Sequence, residues 1–218
     1  IWNNVFMEFY KDKNGYRKLE QQNVDTGLGL ERMTMLLQGK ETPFEIELFS
    51  PVMDELERLQ NVDNIQSRRI ITEHLRSSMM IINDGGRPSN VDRGYILRRL
   101  IRRMTRHMNK LEINLDLLPN IIDISIDSLK ELYPELDSNR EEIKKVIVEE
   151  KDKFVKTLKN GEREFEKAMN RVKSQGKDLI DAAVVFNLYE TYGFPPEMTE
   201  ELAIENGLKV DLEGYQKL

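Results

Sequence analysis

Residues suited to binding a small charged ligand occur together between Val24 and Arg32, in the run VDTGLGLER. The run has the composition of a strand end, a glycine-containing turn and the first turn of a helix. Glycines allow a ligand to approach the backbone closely, Asp25 can pair with an ammonium group, and Arg32 can hold phosphate oxygens. The run is therefore a candidate site for an amino acid and a nucleotide, with an ordinary strand-to-helix turn as the alternative.

A glycine-rich loop that opens into a strongly basic helix follows between residues 83 and 103. No acidic residue occurs between Arg93 and Leu111, so the positive charge of this helix needs an anionic partner. Either the backbone of a nucleic acid or the Asp and Glu side chains of neighbouring helices could supply that partner, and composition leaves both open. The candidate phosphate-binding residues are Arg93, Arg98, Arg99, Arg102 and Arg103.

Two further polar residues lie beside turns. Asn90 precedes the basic helix, and its amide could read a base edge in the shallow minor groove of RNA or, alternatively, cap the helix that begins near Asp92. Glu190 lies near a helix end marked by Gly193 and two prolines, where a carboxylate could accept from the exocyclic amine of guanine. The alternative for Glu190 is a plain helix end with packed tyrosines.

The elements that must position these residues change character near Gly29. Residues 1–10 are rich in Val, Phe and Tyr, and a DKNG turn separates them from a second candidate strand at residues 16–25, which predicts an antiparallel hairpin. Helical spacing then begins at Leu30, and Ser138 with Glu141 predicts a capping box for the longest helix. The fold class is therefore α+β, with a small antiparallel β remnant followed by a large helical domain. The predicted helices are 46–60, 67–83, 92–111, 118–132, 139–173, 181–191, 199–206 and 211–218.

Bulk composition excludes several classes of protein. The chain of 218 residues carries a formal net charge of -6, so any basic surface must be local. It has no cysteine, which excludes disulfides and thiolate chemistry, and we expect no zinc site. No apolar run is long enough to cross a membrane, which predicts a cytoplasmic protein without a membrane partner. The chain starts inside an apolar run at Ile1, so we expect a piece of a larger domain.

Taken together, the motifs resemble those of the alanyl-tRNA synthetases. The run from Val24 to Arg32 is similar to motif 3 of class II aminoacyl-tRNA synthetases in its alanyl-specific form. The segments IWN and VFM near the start, RPSN and RGYILRR within residues 87–99, and LYETYGFP at residues 188–195 resemble other segments of that family. They occur in the family's order, and the resemblance covers nearly the whole chain.

The resemblance implies an ATP-dependent ligase that activates alanine and transfers it to tRNA(Ala), with ATP and Mg2+ as cofactors. Alanine, ATP and the acceptor stem of the tRNA are the implied partners. By matching positions, the alanine-binding residues would be Asn3, Asp25 and Gly27, the ATP-binding residues Gly29 and Arg32, and the catalytic residues Arg32 and Glu31.

The same matching implies that Asn90 and Glu190 read a G·U wobble pair in the acceptor stem. The family residue at the position of Glu190 is an aspartate, so this chain carries a longer carboxylate there. The arginines of the basic helix, which are Arg93, Arg98, Arg99, Arg102 and Arg103, would contact the RNA backbone.

The resemblance also implies a domain organisation. Residues 1–42 would form the C-terminal part of the catalytic domain with motif 3, and residues 43–218 would form a helical domain for acceptor-stem recognition. Motifs 1 and 2 and the editing domain are absent from the sequence, so we expect the chain to be inactive alone. The alternative is a non-catalytic RNA-binding paralogue or module that retains the helical domain.

Overall fold

The computed structural model describes residues 2–217, most of which are helical. Its contacts form two compact units, one that ends at Pro51 and one that begins at Val52. One antiparallel strand pair and one short parallel pair accompany the helices. The predicted α+β class is therefore confirmed.

The first unit contains the hairpin. Strand β1 (Trp2–Asp12) pairs antiparallel with strand β2 (Gly15–Leu28), with an irregularity in the register between Met7 and Phe9. Gly15 has a φ of +112°, a conformation that other residues rarely adopt, and this allows the tight turn between the strands. The predicted hairpin is confirmed, and its strands extend further toward the turn and beyond residue 25 than expected. Ile1, the first residue of the predicted strand, lies outside the described residues.

A short helix follows the hairpin directly. Helix α1 (Leu30–Leu37) starts after Gly29 and ends where Gly39 adopts a φ of +66°. A single 3-10 turn at Pro43–Glu45 comes next, and its first residues are fixed by a capping box between Thr42 and Glu45. The helix predicted from residue 46 is wrong at its start, because residues 46–49 form a bend and a turn and the next helix begins only at Ser50.

Helices dominate the rest of the chain, and most begin within three residues of the predicted positions. Proline explains two of the shifted starts, because Pro51 and Pro196 occupy first helical turns, where the missing N–H group costs nothing. The elements are α2 (Ser50–Leu59), α3 (Ile65–Asn83), α4 (Asp92–Lys110), α5 (Leu118–Leu129), α6 (Pro134–Ser138), α7 (Arg140–Ser174), β3 (Leu179–Ile180), α8 (Ala182–Tyr192), α9 (Pro196–Glu205), β4 (Lys209–Val210) and α10 (Leu212–Tyr215).

The capping box predicted from Ser138 and Glu141 is wrong. Ser138 is the last residue of α6, and its hydroxyl donates to the carbonyl oxygen of Pro134. Pro134 starts this separate short helix, so α7 begins only at Arg140 and has no side-chain cap. Leu218, the last residue of the final predicted helix, lies outside the described residues.

The candidate residues of the second unit lie on helices that pack in two groups. Helix α3 packs along α4, and Leu97, Ile101, Met104 and Met108 form a buried apolar stripe on α4. A second cluster joins α7, α8 and α9, and Phe194 lies within it, fully buried between α8 and α9. The basic helix and the LYETYGFP segment are thus both anchored by apolar contacts.

Candidate functional site

A cavity of about 430 Å³ in the first unit brings together most residues of the first candidate site. The strand register pairs Asn3 with Gly27 and Val5 with Asp25. Because side chains alternate between the two faces of a strand, these four positions share one face of the hairpin. The lining residues are Trp2, Asn3, Val5, Asp25, Gly27, Leu28, Gly29 and Arg32.

The two glycines of this cavity differ in what they permit. A Cβ at Gly27 would meet no heavy atom within 4 Å, so Gly27 faces open space. A Cβ at Gly29 would lie 3.5 Å from the Arg32 side chain, which is ordinary van der Waals contact. Arg32 and the half-buried Glu31 lie in the first turn of α1. A carboxylate at Asp25 and a guanidinium at Arg32 thus line one open cavity, which suits a ligand with both an ammonium group and phosphates.

The loop that carries Asn90 folds back onto the start of α4. Ser89 donates its backbone N–H to the carbonyl of Gly94 at 3.1 Å, and its hydroxyl donates to the carbonyl of Val91 at 2.9 Å. A Cβ at Gly94 would overlap the Ser89 hydroxyl and the Arg87 carbonyl, so only glycine allows this close approach. The loop is therefore fixed on both sides of Asn90.

Asn90 itself is exposed and is not the helix cap. The N-cap position of α4 belongs to Val91, and no side chain caps that end. The alternative that Asn90 caps α4 is therefore wrong. Asp92, the first residue of α4, has a φ of +50°, a left-handed conformation that aspartate tolerates better than most residues. The amide of Asn90 stays available for a ligand.

Asn90 lines a second cavity of about 430 Å³, which we call the tyrosine cleft. Tyr189 and Tyr215 pack edge to face there, with ring centroids 6.3 Å apart. The hydroxyl of Tyr95 donates to Glu197 at 3.0 Å, and burial, followed by the charge of Glu197, raises the pKa of Tyr95. The lining residues are Asn90, Asp92, Tyr95, Tyr189, Pro196, Glu197, Leu212, Tyr215 and Gln216.

Glutamates of α9 pair with the arginines of α4. Arg99 donates to Glu197 at 2.6 Å, and Arg103 donates to both carboxylate oxygens of Glu201 at 2.9 Å. The alternative that the arginines pair with neighbouring acidic side chains is confirmed for these two. Arg93 differs, because it is exposed in the first turn of α4 and forms no ion pair within residues 2–217.

Arg102 and Arg98 turn toward α7. Arg102 is buried and donates to Glu150 at 2.7 Å, while Arg98 lies 3.5 Å from the same carboxylate. Arg102 also stacks on the ring of Phe154, with its guanidinium carbon 5.3 Å from the ring centroid. The guanidinium of Arg102 is thus enclosed by protein groups and anchors α4 to α7.

The same Arg102 fixes the turn that follows Glu190. It donates to the carbonyl of Gly193, which has a φ of +68°, and Thr157 donates to the carbonyl of Tyr192 at 2.7 Å. Glu190 is exposed on α8 one turn earlier and does not line the tyrosine cleft. Its charge nevertheless helps to raise the pKa of Tyr215, after burial, Tyr189 and Glu197, so Glu190 lies close to the cleft that contains Asn90.

A network of buried polar groups lies beside Arg103. Arg103 approaches His74 Nε2 at 2.9 Å, and His107 lies between Ser67 Oγ at 3.0 Å and Glu201 at 3.1 Å. Burial, followed by the charge of Arg103, lowers the pKa of His74 to about 4. Burial acts to raise the pKa of Glu201, but the hydrogen bonds from His107 and Arg103 outweigh it and hold that pKa far below its usual range.

Sequence reasoning missed the glutamates that organise these arginines. Glu197, Glu201 and Glu205 recur every four residues on α9, as Arg99 and Arg103 do on α4. Two helices with charges at this matching spacing can form a ladder of ion pairs, and this signal could have identified the partners. Glu150 offers no comparable signal, because it is one of many charged residues on the long helix α7.

Within residues 2–217, no group of three or more His, Cys, Asp or Glu side chains is placed to hold a metal ion. No helix in that part of the chain is long and apolar enough to span a membrane.

Comparison with known proteins gives a consistent result. A family model described as tRNA synthetases class II (A) matches residues 1–218. The chain is 43% identical to the alanine–tRNA ligase of Natranaerobius thermophilus over all of its own length and 26% of that relative. It is 40% identical to the alanine–tRNA ligases of Borrelia hermsii and Treponema pallidum, covering 38% and 37% of those proteins and 100% and 99% of itself. The chain thus spans between about a quarter and two-fifths of the length of these relatives.

Proposed function

Because the chain belongs to the family of class II tRNA synthetases (A), we propose that it is part of an alanine–tRNA ligase. The three relatives of that name described above are 40 to 43% identical to it over its whole length or nearly so. The parent enzyme would use ATP to activate alanine and then transfer the alanine to tRNA(Ala). We assign residues 1–42 to the catalytic domain and residues 43–218 to acceptor-stem recognition.

The first part of the proposal concerns the cavity of the hairpin. Asp25 would pair with the ammonium group of alanine, while Asn3 and the open position at Gly27 would accommodate the rest of the amino acid. Gly29 and Arg32 would hold the phosphates of ATP, with Glu31 beside them. Support comes from the shared lining of one cavity by Asn3, Asp25, Gly27, Gly29 and Arg32. Mg2+ enters the proposal as a companion of ATP, because it is usually bound by one or two carboxylates together with the substrate phosphates.

The second part concerns RNA recognition by the helical unit. Asn90 would read the G·U pair in the minor groove, Glu190 would accept from the exocyclic amine of guanine, and Arg93 would contact backbone phosphate. The observation that carries this proposal is the exposed Asn90 amide, which is held by a fixed loop at the edge of an aromatic cleft. The paired arginines Arg98, Arg99, Arg102 and Arg103 would mainly hold the helices in position.

The test is binding of this chain to a hairpin RNA that reproduces the alanine acceptor stem. Affinity is measured for the G·U stem and for a G·C replacement at two salt concentrations, with wild type and Asn90→Ala. We expect wild type to prefer the G·U stem and Asn90→Ala to lose that preference by about tenfold. Both proteins should lose affinity as salt rises, because phosphate contacts release counterions.

Two outcomes would contradict this proposal in different ways. Equal affinity of wild type for both stems at both salt concentrations would remove specific readout and leave an RNA-docking surface, as in a non-catalytic RNA-binding module. Binding that is absent or insensitive to salt would instead indicate that the exposed charges of this unit serve only solvation and ion pairing.

A further inference from the structure

The tyrosine cleft has a wall that the proposed readout by Asn90 and Glu190 does not use. Helix α10 contributes Leu212 and Tyr215 to the same cleft that Asn90 lines, and the exposed Gln216 directly after this helix lines it as well. Asn90 and Gln216 are thus two amide side chains from distant parts of the sequence on one cavity. An amide offers both a donor and an acceptor and suits the edges of nucleotide bases.

Helix α10 is seated firmly enough to present Gln216 at a defined place. The Asp211 side chain accepts from the backbone N–H of Gly214 at 2.8 Å, and Asp211 donates its own N–H to the carbonyl of Ile180 at 3.0 Å. A Cβ at Gly214 would overlap the Asp211 carboxylate and crowd Ala182, so α10 lies directly against α8. Gln216 follows the last residue of α10 immediately, as its C-cap.

The charges around the cleft indicate which part of a nucleotide it can accept. Asp92 lines it, the charge of Glu190 reaches Tyr215, and Glu197 also lines it but is paired with Arg99. An anionic surrounding of this kind repels phosphate and favours the amino groups and the edges of bases. The rings of Tyr189 and Tyr215 add apolar surface suited to a base or a ribose, and about 430 Å³ is enough for a group of that size.

We propose that Gln216 is a second specificity-determining residue, whose amide hydrogen-bonds to a base edge of the acceptor stem in the tyrosine cleft together with Asn90. This inference rests on the proposed function, because it assigns a new residue to the same recognition event. The minor-groove edges of the paired bases face the cleft while the phosphates remain outside it, near Arg93.

The experiment compares Gln216→Ala with Gln175→Ala, which removes the same side chain from an exposed position after α7. For each variant and for wild type, affinity is measured for the G·U and G·C stems at several salt concentrations. We expect Gln216→Ala to reduce the preference for the G·U stem by roughly tenfold and to leave the salt dependence unchanged. Gln175→Ala should match wild type, and both variants should unfold at the wild-type temperature.

The outcomes separate this inference from the proposed function. A wild-type preference that is lost in Asn90→Ala but retained in Gln216→Ala would overturn the role of Gln216 and leave the proposed function standing. An equal loss of affinity for both stems in Gln216→Ala would overturn it as well, because Gln216 would then contact RNA without reading it. Equal binding of both stems by wild type would overturn the two proposals together.

Discussion

The arginines of α4 differ in how much charge each leaves for a ligand. Arg99 donates to Glu197 at 2.6 Å, and Arg103 donates to Glu201 at 2.9 Å. Arg102 is buried and donates to Glu150. Arg93 is exposed and has no ion pair within the described part of the chain. A guanidinium that already neutralises a carboxylate gains little from a phosphate and displaces few counterions when it meets one. Phosphate contact at this end of α4 should therefore depend mainly on Arg93.

We predict that Arg93→Gln reduces the slope of log affinity against log salt by about 1 for either RNA stem. Arg58→Gln is the matched control, because it changes the net charge equally but removes a guanidinium held by Glu55 at 2.7 Å on α2. The control should keep the wild-type slope. The measurement is a salt titration of RNA affinity for all three proteins, and identical slopes for the two variants would refute a phosphate contact at Arg93.

Among the helices, α7 shows how a single glycine allows two segments to pack closely. Gly161 lies in the middle of α7, where glycine costs roughly 1 kcal/mol relative to alanine through its backbone freedom. A Cβ at this position would overlap the ring of Phe194, which is fully buried. Phe194 follows the turn at Gly193 that ends α8, the helix that carries Glu190, so Gly161 allows α8 and this turn to approach α7.

We predict that Gly161→Ala destabilises the protein despite the better helix propensity of alanine. Overpacking a buried ring costs about 1 to 3 kcal/mol, which exceeds the gain in propensity and leaves a net loss of about 1 kcal/mol. Denaturant unfolding measures the difference. Asn170→Ala, at an exposed position of the same helix, is the control and should be neutral or slightly stabilising. A stabilising Gly161→Ala would mean that Phe194 moves aside without cost.

The same elements show what the sequence could and could not predict. Apolar periodicity and turn residues located the hairpin and the long helices, because those signals are local. The capping box predicted from Ser138 and Glu141 was wrong, because Pro134 starts a separate helix and Ser138 is the last residue of that helix. Strands β3 and β4 have two residues each, too few for any periodicity.

For the candidate sites, the sequence indicated residue types but not their partners. Asn3 and Gly27 were both expected to bind the amino acid, and the hairpin register places them opposite each other. The pairing of Arg102 with Glu150 joins residues 48 positions apart, and that of Arg103 with Glu201 joins residues 98 apart. Such distant pairs depend on how helices pack, which no local pattern encodes.

For the whole molecule, the two histidines of the chain bear on how its stability depends on pH. His74 and His107 both belong to the network around Arg103 and Glu201. His74 has a pKa lowered to about 4 by burial and by Arg103, compared with about 6.5 for an unfolded histidine. Between about pH 6.5 and pH 4, His74 is therefore protonated in the unfolded chain but neutral in the folded protein. The free energy of unfolding must fall as the pH is lowered through this range.

We predict that this fall is complete near pH 4 and that His74→Gln removes it. Glutamine can still accept from Arg103 but takes up no proton, so the stability difference between wild type and variant should change by roughly 2 kcal/mol between about pH 7 and pH 4.5.

The groups common to both proteins cancel in this difference, including Glu162, whose pKa is raised by burial and which acts in the opposite sense. Glu201 has a lowered pKa, so its contribution begins to be lost as the pH falls through the ordinary glutamate range near 4.5, well below the pH at which the histidine effect begins. Denaturant unfolding at about pH 7, 5.5 and 4.5 measures both curves, and parallel curves would mean that His74 binds its proton equally well in the folded protein.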